Sequence, residues 1–470
     1  RRPGQHGYCF GGGGQVMPEA VTRRRSSIAA WAFSRGARFA ADWDIFIVVA
    51  VLGGVFGALF TVQPVMIGLK MLTEEVLAPW LSLTLFNTPQ YAALIGRIIV
   101  EIVVALVVLK FFVLSAPLLI WLERKVSGHI QSRLGPMHVG GFHGWLQTIA
   151  DGIKLISKED IIPSGADKVL HTIGPIMVVV AAITGFVVIP FGNELVPRDF
   201  NIGIFYLLAV TSVSVFGVVV AGWASNNKYS LLGGMRSAAQ LVSYEIPRGV
   251  ALIGVIMLAQ SLQMSTIVNQ QSGIGAGEPF VAIPYVVFQP IAFIIYVIAS
   301  IAETNRAPFD LPEAESELVA GFHTEYSGMK FAFFFMAEYG EMLLFSCVAT
   351  ALFLGGGSIP FVEGYIYAWT NGIFESMHVP FLIGFWHFPV FIIKTYVLVF
   401  FFIWVRWTYP RMRVDRLMDF SWKILVPWTF INLIGLGIAL LPQFQPVGVW
   451  VFAAINWLIV GGVLLKAFKK

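Results

Sequence analysis

The sequence predicts an all-α protein that crosses the membrane many times, with a further helix lying along the membrane surface. Of its 470 residues, 57% are hydrophobic and only 12% are charged, whereas an average soluble domain has roughly 25% charged residues. The hydrophobic residues fall in runs close to the roughly 20 residues that a helix needs to cross a bilayer. Because these runs do not alternate apolar and polar residues, a membrane-spanning β-barrel is excluded. The composition also excludes a water-soluble enzyme and a disordered chain.

Ten apolar runs are long enough to be spanning helices. In chain order the predicted spans cover residues 44–66, 94–122, 169–190, 203–222, 237–259, 281–302, 329–354, 385–406, 424–441 and 447–465. The first and last runs look like additions around a central block of eight. The chain is therefore predicted to consist of membrane helices and their loops, without a separate soluble domain.

Basic residues are concentrated in alternate loops, and this sets the predicted orientation. The loops after the second, fourth, sixth and eighth spans carry Lys and Arg, whereas the loops 260–280, 355–384 and 442–446 contain neither. Since basic loops face the cytoplasm, we expect both termini on the cytoplasmic side of a bacterial inner membrane. Residues 1–43 are rich in Arg and are interpreted as a basic extension or a mis-set start, with a transit peptide as the alternative.

Of the ionisable residues inside predicted spans, where a single charge costs roughly 2.5–3.5 kcal/mol, five are candidates for function. Glu245 and Glu338 are expected roughly 12–14 Å from the cytoplasmic surface, and Glu341 shares a helix face with Glu338. Lys110 and Lys394 lie near the middle of their spans. We interpret Lys110, Glu341 and Lys394 as further candidates buried in the membrane. Salt bridges that hold helices together are the alternative, but the excess of acids favours groups that exchange protons.

The segment after the sixth predicted span is unusually acidic. Six of the chain's 27 acidic residues fall within 303–325, namely Glu303, Asp310, Glu313, Glu315, Glu317 and Glu325. Carboxylates crowded in this way share protons. A solvated acidic surface is the alternative, but prolines and apolar residues interrupt the run and favour a segment folded against the membrane. From there, the acids could pass protons inward to Glu245 and Glu338.

The segment after the second predicted span combines basic residues with a predicted amphipathic helix. Arg124 and Arg133 lie in the stretch ERKVSGHIQSRLGP, and apolar residues then recur at helical spacing over 145–156 while Asp151 and Lys154 face elsewhere. This pattern is typical of a helix that lies in the membrane interface. Such a helix either lies at the site where a lipid-soluble substrate enters the protein or is only a topological anchor.

The sequence offers no obvious ligands for a metal or a redox cofactor. Cys9 and Cys347 cannot hold an iron–sulfur cluster between them. The spacing of His129, His138 and His143 matches no zinc motif, and no glycine loop of the phosphate-binding or dinucleotide-binding type is present. We therefore expect this chain to bind neither a metal nor a redox cofactor.

Three segments resemble the quinone-proximal membrane subunit of respiratory complex I, the H-subunit family, called NADH dehydrogenase subunit 1 in mitochondria. They are residues 123–160, which contain ERK and RLGP; residues 229–245, which begin YSLLGGMR and end SYE; and residues 302–339, which begin AETNRAPFD and end AEY. The third segment is the most specific. Residues 409–415 add support, and the resemblance covers about residues 94–441.

The resemblance implies an eight-helix core, with one added helix at each end, whose tilted helices line a chamber for quinone. It implies that Arg124 and Arg133 lie at the mouth of this chamber. It further implies a proton relay of carboxylates, and by motif these are Glu245, Glu303, Asp310, Glu313, Glu315, Glu317, Glu325 and Glu338. The corresponding division of the chain is an extension at 1–43, an added helix and loop at 44–93, a membrane domain like that of the family at 94–441 and an added helix at 442–470.

The implied function is that of a membrane subunit of a proton-pumping NADH-quinone oxidoreductase, which couples quinone reduction to proton translocation. Quinone, either ubiquinone or menaquinone, would be the substrate, while flavin and iron–sulfur clusters would be bound by partner subunits. The implied partners are the hydrophilic iron–sulfur and quinone-site subunits, the neighbouring small membrane subunits and the lipid bilayer. No nucleic acid is expected as a partner.

Two departures from the family pattern and three alternative functions remain open at this point. Met137 and His138 stand where the family often has Asn-Arg, and Arg248 follows Pro247 where a small or apolar residue is usual. The alternatives are the related subunit of a membrane-bound hydrogenase, an independent ion-coupled transporter and a structural anchor. No internal repeat of the kind common in transporters is visible, and an anchor would leave the intramembrane acids unexplained.

Overall fold

The computed structural model describes residues 89–192, 196–272, 283–310, 319–360, 386–445 and 447–469. The predicted extension 1–43, the predicted span 44–66 and the relay candidates Glu313, Glu315 and Glu317 lie outside these ranges. The division of the chain into an extension, a core and two added helices therefore stays a prediction.

The described residues form α-helices with short 3-10 turns and contain no β-strand. In chain order the helices are α1 (Pro89–Ile130), α2 (Gln147–Ser157), α3 (Lys168–Gly185), α4 (Gly203–Ala224), α5 (Lys228–Ala259), α6 (Met264–Ser272), α7 (Pro290–Glu303), α8 (Gly328–Phe353), α9 (His387–Thr408), α10 (Val414–Phe420), α11 (Val426–Ala439) and α12 (Val447–Lys469). A π-helical turn at Ser421–Leu425 joins α10 to α11 without a break. The all-helical class predicted from composition is confirmed.

Eight helical segments of the described part are long and apolar enough to cross a membrane. They are α1, α3, α4, α5, α8, α9, the continuous rod of α10 and α11, and α12. Each coincides with a span predicted from hydropathy. The chain is therefore a multi-pass membrane protein.

The sixth predicted span, 281–302, is shorter than expected. Its helix, α7, begins only at Pro290 and has 14 residues, which gives roughly 21 Å rather than the full hydrocarbon thickness. Proline lacks the backbone N–H and disfavours helix in the residue before it, so Pro290 is well suited to the start of this helix. The described residues 283–289 are hydrophobic but do not extend the helix across the membrane.

Two helices are longer than predicted and convert expected loop residues into helical ones. Helix α1 has 42 residues, or roughly 63 Å, and therefore includes Glu123, Arg124 and Lys125. Helix α5 starts at Lys228, nine residues before the predicted start, where the Asn227 side chain accepts a hydrogen bond from the Tyr229 N–H (3.0 Å). Such a cap satisfies a donor that would otherwise be unpaired.

Helix α8 is the centre of the bundle. Every residue from Tyr339 to Phe353 is buried, and α8 packs against α1, α3, α7 and α9. Helices α3, α4, α5 and α7 pack in series around it, while α12 contacts α7 and α11 and is exposed along much of its length. A carboxylate on the inner part of α8 is therefore surrounded by protein on all sides.

Helix α2 has the properties predicted for an interfacial helix. Its apolar side chains Ile149, Ile153 and Ile156 are exposed on one side. On another side, Asp151 accepts a hydrogen bond from Arg124 Nη1 of α1 (2.5 Å). The exposed apolar face of such a helix can lie against lipid.

Candidate functional site

One face of α5 holds the acidic segment against the bundle. The buried Gln240 side chain donates through Nε2 to two backbone carbonyls of this segment, those of Ala302 and Phe309 (2.7 Å each). One turn earlier, Ser237 Oγ accepts from Asn305 Nδ2 (3.3 Å). Ser230 Oγ donates to the Phe322 carbonyl (2.9 Å). Ser230 and Ser237 are seven residues apart and Ser237 and Gln240 are three apart, so the three side chains share a helix face.

The double glycine of α5 allows the end of the same segment to approach closely. A methyl group added at Gly233 would lie 2.6 Å from the backbone of Gly321, which is too close for two carbon atoms. Gly321 itself has φ of +61°, a value that favours glycine. Gly233 of the YSLLGGMR stretch is therefore explained by backbone contact with the turn at 321–323.

A buried ionic cluster of Glu123, Arg306, Tyr339 and Arg406 lies beneath the acidic segment. Glu123 Oε2 accepts from Arg306 Nη1 (2.6 Å) and from the Tyr339 hydroxyl (2.9 Å), while Glu123 Oε1 pairs with Arg406. The Arg306 guanidinium also lies over the Tyr339 ring, 3.9 Å from its centroid. The cluster joins α1, the acidic segment, α8 and α9.

The charges of the ionic cluster compensate one another. Burial by itself would lower the pKa of Arg306, but Glu123, Tyr339 and Glu338 together raise that pKa further than burial lowers it. Arg306 therefore remains a cation although only 4% of its side chain is exposed. Removing one member of such a cluster leaves an uncompensated buried charge, which is far more costly than losing an exposed pair.

Glu303 and Arg248 form a second buried ion pair, deeper in the bundle. Arg248 Nη1 lies 2.6 Å from Glu303 Oε2, and both side chains are almost fully buried. Arg248 Nη2 donates to Thr211 Oγ1 of α4 (3.1 Å), and the guanidinium lies 4.5 Å from the centroid of the Phe345 ring of α8. Arg248, which departs from the family pattern, is thus the partner of the relay candidate Glu303.

The predicted carboxylates Glu338 and Glu341 line one small cavity between α3, α4, α5 and α8. Its volume is about 20 Å³, and Ser214 and Asn305 also line it. Glu341 is buried and hydrogen-bonded to Ser214, whereas Glu338 is half-buried. Glu303 is close enough to Glu341 and to Glu245 to interact with both electrostatically. These four predicted carboxylates therefore occupy one region.

The remaining described relay candidates lie nearer the ends of the helices. Asp310 Oδ2 pairs with Arg411 Nη2 (2.7 Å). Glu325 Oε1 accepts from Asn227 Nδ2 (2.5 Å), the residue that caps α5. Both acids belong to the segment held by α5, but each has its own partner and neither lines the cavity of Glu338 and Glu341.

The two arginines expected at the chamber mouth lie at the end of α1 and just beyond it. Arg124 is tied to α2 through Asp151, as described above. Arg133 has an exposed side chain, while its backbone N–H donates to the Gly128 carbonyl (2.7 Å) and closes the turn after α1. Arg133 is therefore accessible, and Arg124 is half of the contact that positions the interfacial helix.

Lys110 lies outside the helix bundle, and its placement inside the membrane stays a prediction. Val108 and Phe112 of α1 are buried, and each is two residues from Lys110, so Lys110 points to the opposite side of the helix. Its side chain is accordingly exposed. Lys110 therefore joins neither the ionic cluster nor the buried carboxylates.

Lys394 caps the end of a helix. Its Nζ donates to the carbonyls of Leu354 (2.6 Å), Gly356 (3.0 Å) and Ser358 (2.6 Å). These carbonyls follow the last turn of α8, where helical partners are absent and the helix dipole is negative. The contacts favour a structural role for this lysine.

Sequence reasoning missed several members of the site. Glu123, Arg306, Tyr339 and Arg406 were not candidates, although three of them lie in the quoted motifs. Gln240 carried one signal that could have been used, because it shares the 3.6-residue face of α5 with Ser230, Gly233 and Ser237. The ionic cluster joins distant parts of the chain and has no such local signal.

Comparison with known proteins places this architecture among respiratory membrane subunits. Residues 100–437 match the NADH dehydrogenase protein family, and α12 lies after the matched range. The second H subunit of the NADH-quinone oxidoreductase of Geobacter metallireducens is 47% identical over 354 residues, which are 71% of this chain and 93% of the relative. The first H subunit of the same enzyme in Geobacter sulfurreducens is 45% identical and covers 75% and 97% of the two chains. NADH-quinone oxidoreductase subunit 8 of Rhodothermus marinus is 45% identical and covers 72% and 96%.

Proposed function

Because the chain belongs to the NADH dehydrogenase family, as an H subunit of NADH-quinone oxidoreductase, we propose that it helps to form the quinone chamber and couples quinone reduction to proton translocation. The chain itself transfers no electrons in this proposal. Its part is to convert the charge change of quinone reduction into proton movement through buried carboxylates.

The observation that carries the proposal is the ionic cluster of Glu123, Arg306, Tyr339 and Arg406. Glu123 lies in the same helix as Arg124, at the end of α1 that leads to the interfacial helix α2. Arg306 lies in the acidic segment, three residues after Glu303. The cluster therefore connects the proposed chamber mouth to the proposed relay through direct, buried, charged contacts.

A charge change near the chamber can be transmitted along this connection. Reduction of a quinone consumes protons and alters the electrostatic potential around nearby charged groups. A movement of Arg306 or Glu123 would be transmitted to Glu303, because Gln240 holds Ala302 and Phe309 at the two ends of the short stretch that contains Glu303 and Arg306. A changed electrostatic potential at Glu303 then changes the proton affinity of Glu245 and Glu341, which interact with Glu303 electrostatically, and this is the reciprocal coupling that allostery requires.

The partners follow from the same argument. The chain would be covered on its cytoplasmic side by the hydrophilic subunits that carry the terminal iron–sulfur cluster and the quinone headgroup site. Flavin and iron–sulfur clusters would belong to those subunits. The loops rich in Lys and Arg and both termini would face the cytoplasm.

The test is to purify the tagged chain from solubilised membranes together with the proteins bound to it. The proposal predicts that a flavin and iron–sulfur arm co-purifies, and that the preparation reduces a short-chain quinone with NADH. Purification with a nickel–iron hydrogenase instead would favour the hydrogenase alternative. Purification of the chain alone, with transport activity in vesicles, would overturn the proposal.

A further inference from the structure

The cavity between Glu338 and Glu341 is suited to one water molecule. Its volume of about 20 Å³ exceeds the roughly 10–15 Å³ that a water needs, and a buried water also needs two to four polar partners. Its lining supplies Glu338, Glu341, Ser214 and Asn305. Asn305 Oδ1 is buried and accepts no hydrogen bond in the described part of the chain. An acceptor buried in this way is costly unless a donor reaches it.

The hydrogen bonds around Ser214 indicate which carboxyl group holds a proton. A serine hydroxyl has one hydrogen, and Ser214 donates it to the Thr211 carbonyl (2.8 Å). Ser214 then has no hydrogen left for Glu341, so their close approach fits a protonated Glu341. For proton transfer, the Glu341 hydrogen points to the water in the cavity instead of to Ser214 Oγ.

The distribution of positive charge agrees with that assignment. A buried carboxylate is ionised only where a cation or several donors compensate it. Arg248 lies against Glu303 and is itself fixed by Thr211 and Phe345. Glu341 forms no salt bridge within the described ranges. Arg248 therefore gives the two acids different protonation states: Glu303 is ionised and Glu341 is neutral.

From these contacts we propose that Glu341 is a further proton-carrying residue, exchanging a proton with Glu338 through one water bound in this cavity. We assign Arg248 as a positioning residue that keeps Glu303 ionised. In the transfer, the Glu341 carboxyl O–H bond breaks as its proton passes to the water oxygen. The water releases one of its own protons to the Glu338 carboxylate, so the water is regenerated. The Asn305 carbonyl oxygen accepts the other hydrogen and orients the water.

This inference rests on the proposed function, and its first test uses Glu341→Gln in the assembled complex in membrane vesicles. We expect quinone-dependent proton pumping to fall about 100-fold, the low end of the usual contribution of a positioned proton-transferring side chain. NADH oxidation by an artificial acceptor that needs no quinone should be unchanged. Ser346→Ala, on the same helix and equally buried, is the control and should pump normally.

The second test removes the space for the water and keeps both acids. Ser214→Val replaces the hydroxyl at the cavity wall with two methyl groups, and we expect pumping to fall at least about tenfold because the transfer loses its bridge. Ser212→Val makes the same change two residues away on α4, outside the cavity lining, and should have no effect. Normal pumping in Ser214→Val vesicles would contradict a water-mediated transfer.

The third test separates a charge role of Arg248 from a packing role. In Arg248→Met, Glu303 loses its cation and should take up a proton, which adds a protonated-carboxyl C=O band to the infrared spectrum of the complex. Glu303→Gln in the same background should remove that band, and Arg248→Lys should not produce it. If Arg248→Met fails to assemble, Arg248→Lys and Glu341→Gln still test the proposal.

The outcomes distinguish this inference from the proposed function. Impaired pumping in Glu338→Gln together with normal pumping in Glu341→Gln would overturn the inference and leave the proposed function standing. Normal pumping in both variants would overturn both. Loss of pumping in both, with the artificial acceptor still reduced, is the result we expect.

Discussion

Glu123 and Arg306 form a buried ion pair although 183 residues separate them in the chain, with 2.6 Å between Glu123 Oε2 and Arg306 Nη1. Glu123 belongs to the extended end of α1, and Arg306 belongs to the acidic segment held by α5. The pair joins the end of α1 that carries Arg124 to the acidic segment that begins at Glu303. Under the proposed function, it is one route by which the two regions would influence each other.

Neutralising Glu123 should destabilise the protein strongly. Glu123→Gln leaves the buried guanidinium of Arg306 and the partly exposed guanidinium of Arg406 without their shared carboxylate. Breaking a buried charged pair costs roughly 3–5 kcal/mol, so we expect a large fall in the amount of assembled complex. The measurement is quantitation of intact complex on native gels, together with its thermal inactivation.

An exposed pair in the same chain gives the matched control. Arg413 and Asp415 are 3.7 Å apart and largely exposed, and such a pair contributes roughly 0–1 kcal/mol. Asp415→Asn should therefore assemble normally. Equal effects of Glu123→Gln and Asp415→Asn would show that the ionic cluster has no special importance.

Lys394 should be needed for stability and not for proton transfer. Lys394→Met removes the donor to three carbonyls at the end of α8. Leaving buried carbonyls unpaired costs roughly 1–3 kcal/mol each, so thermal inactivation should occur at a lower temperature. In the complex that does assemble, the number of protons pumped per quinone reduced should be unchanged. A lowered proton-to-quinone ratio with normal thermal stability would restore Lys394 as a relay candidate.

Arg133 should act on quinone turnover specifically. Its side chain is exposed beside the end of α1, so Arg133→Ala should leave the fold intact while removing a cation from the proposed mouth. We expect turnover with quinone to fall by about tenfold, equivalent to about 1.4 kcal/mol, with artificial acceptors reduced at the normal rate. Equal loss with both acceptors would point to failed assembly instead of a role at the mouth.

The membrane helices could be predicted because hydropathy is a local property of the chain. The spans 203–222 and 329–354 agree with α4 and α8 to within two residues at each end. The error at 281–302 arose because apolar composition does not distinguish a helix from an apolar turn. Pro290 in that run was the available signal, since a proline favours the first turn of a helix.

The site could be predicted only in part, because its polar contacts join distant segments. The carboxylates Glu245, Glu338 and Glu341 were identified from their cost inside a membrane, and Glu303 from the acidic run and the family resemblance, neither of which needs knowledge of the fold. Their partners depend on which helices pack together, and no spacing rule links Glu303 to Arg248 or Glu123 to Arg306. Lys110 has the same hydropathy context as a buried lysine, yet its position on the helix turns it outward.

The central claim is that the buried carboxylates move protons in response to quinone reduction, and Glu338→Gln tests it most directly. Glutamine keeps the size and hydrogen bonding of the side chain but cannot ionise. The control is Asp419→Asn, an exposed acid near the end of α10, which should pump protons normally.

The decisive measurement compares NADH-driven proton uptake by vesicles that contain equal amounts of assembled complex. We predict that Glu338→Gln vesicles lose nearly all quinone-dependent proton pumping, by about 100-fold, while an artificial acceptor is still reduced at the normal rate. Pumping by Glu338→Gln vesicles at the rate of the unmodified complex would contradict the account.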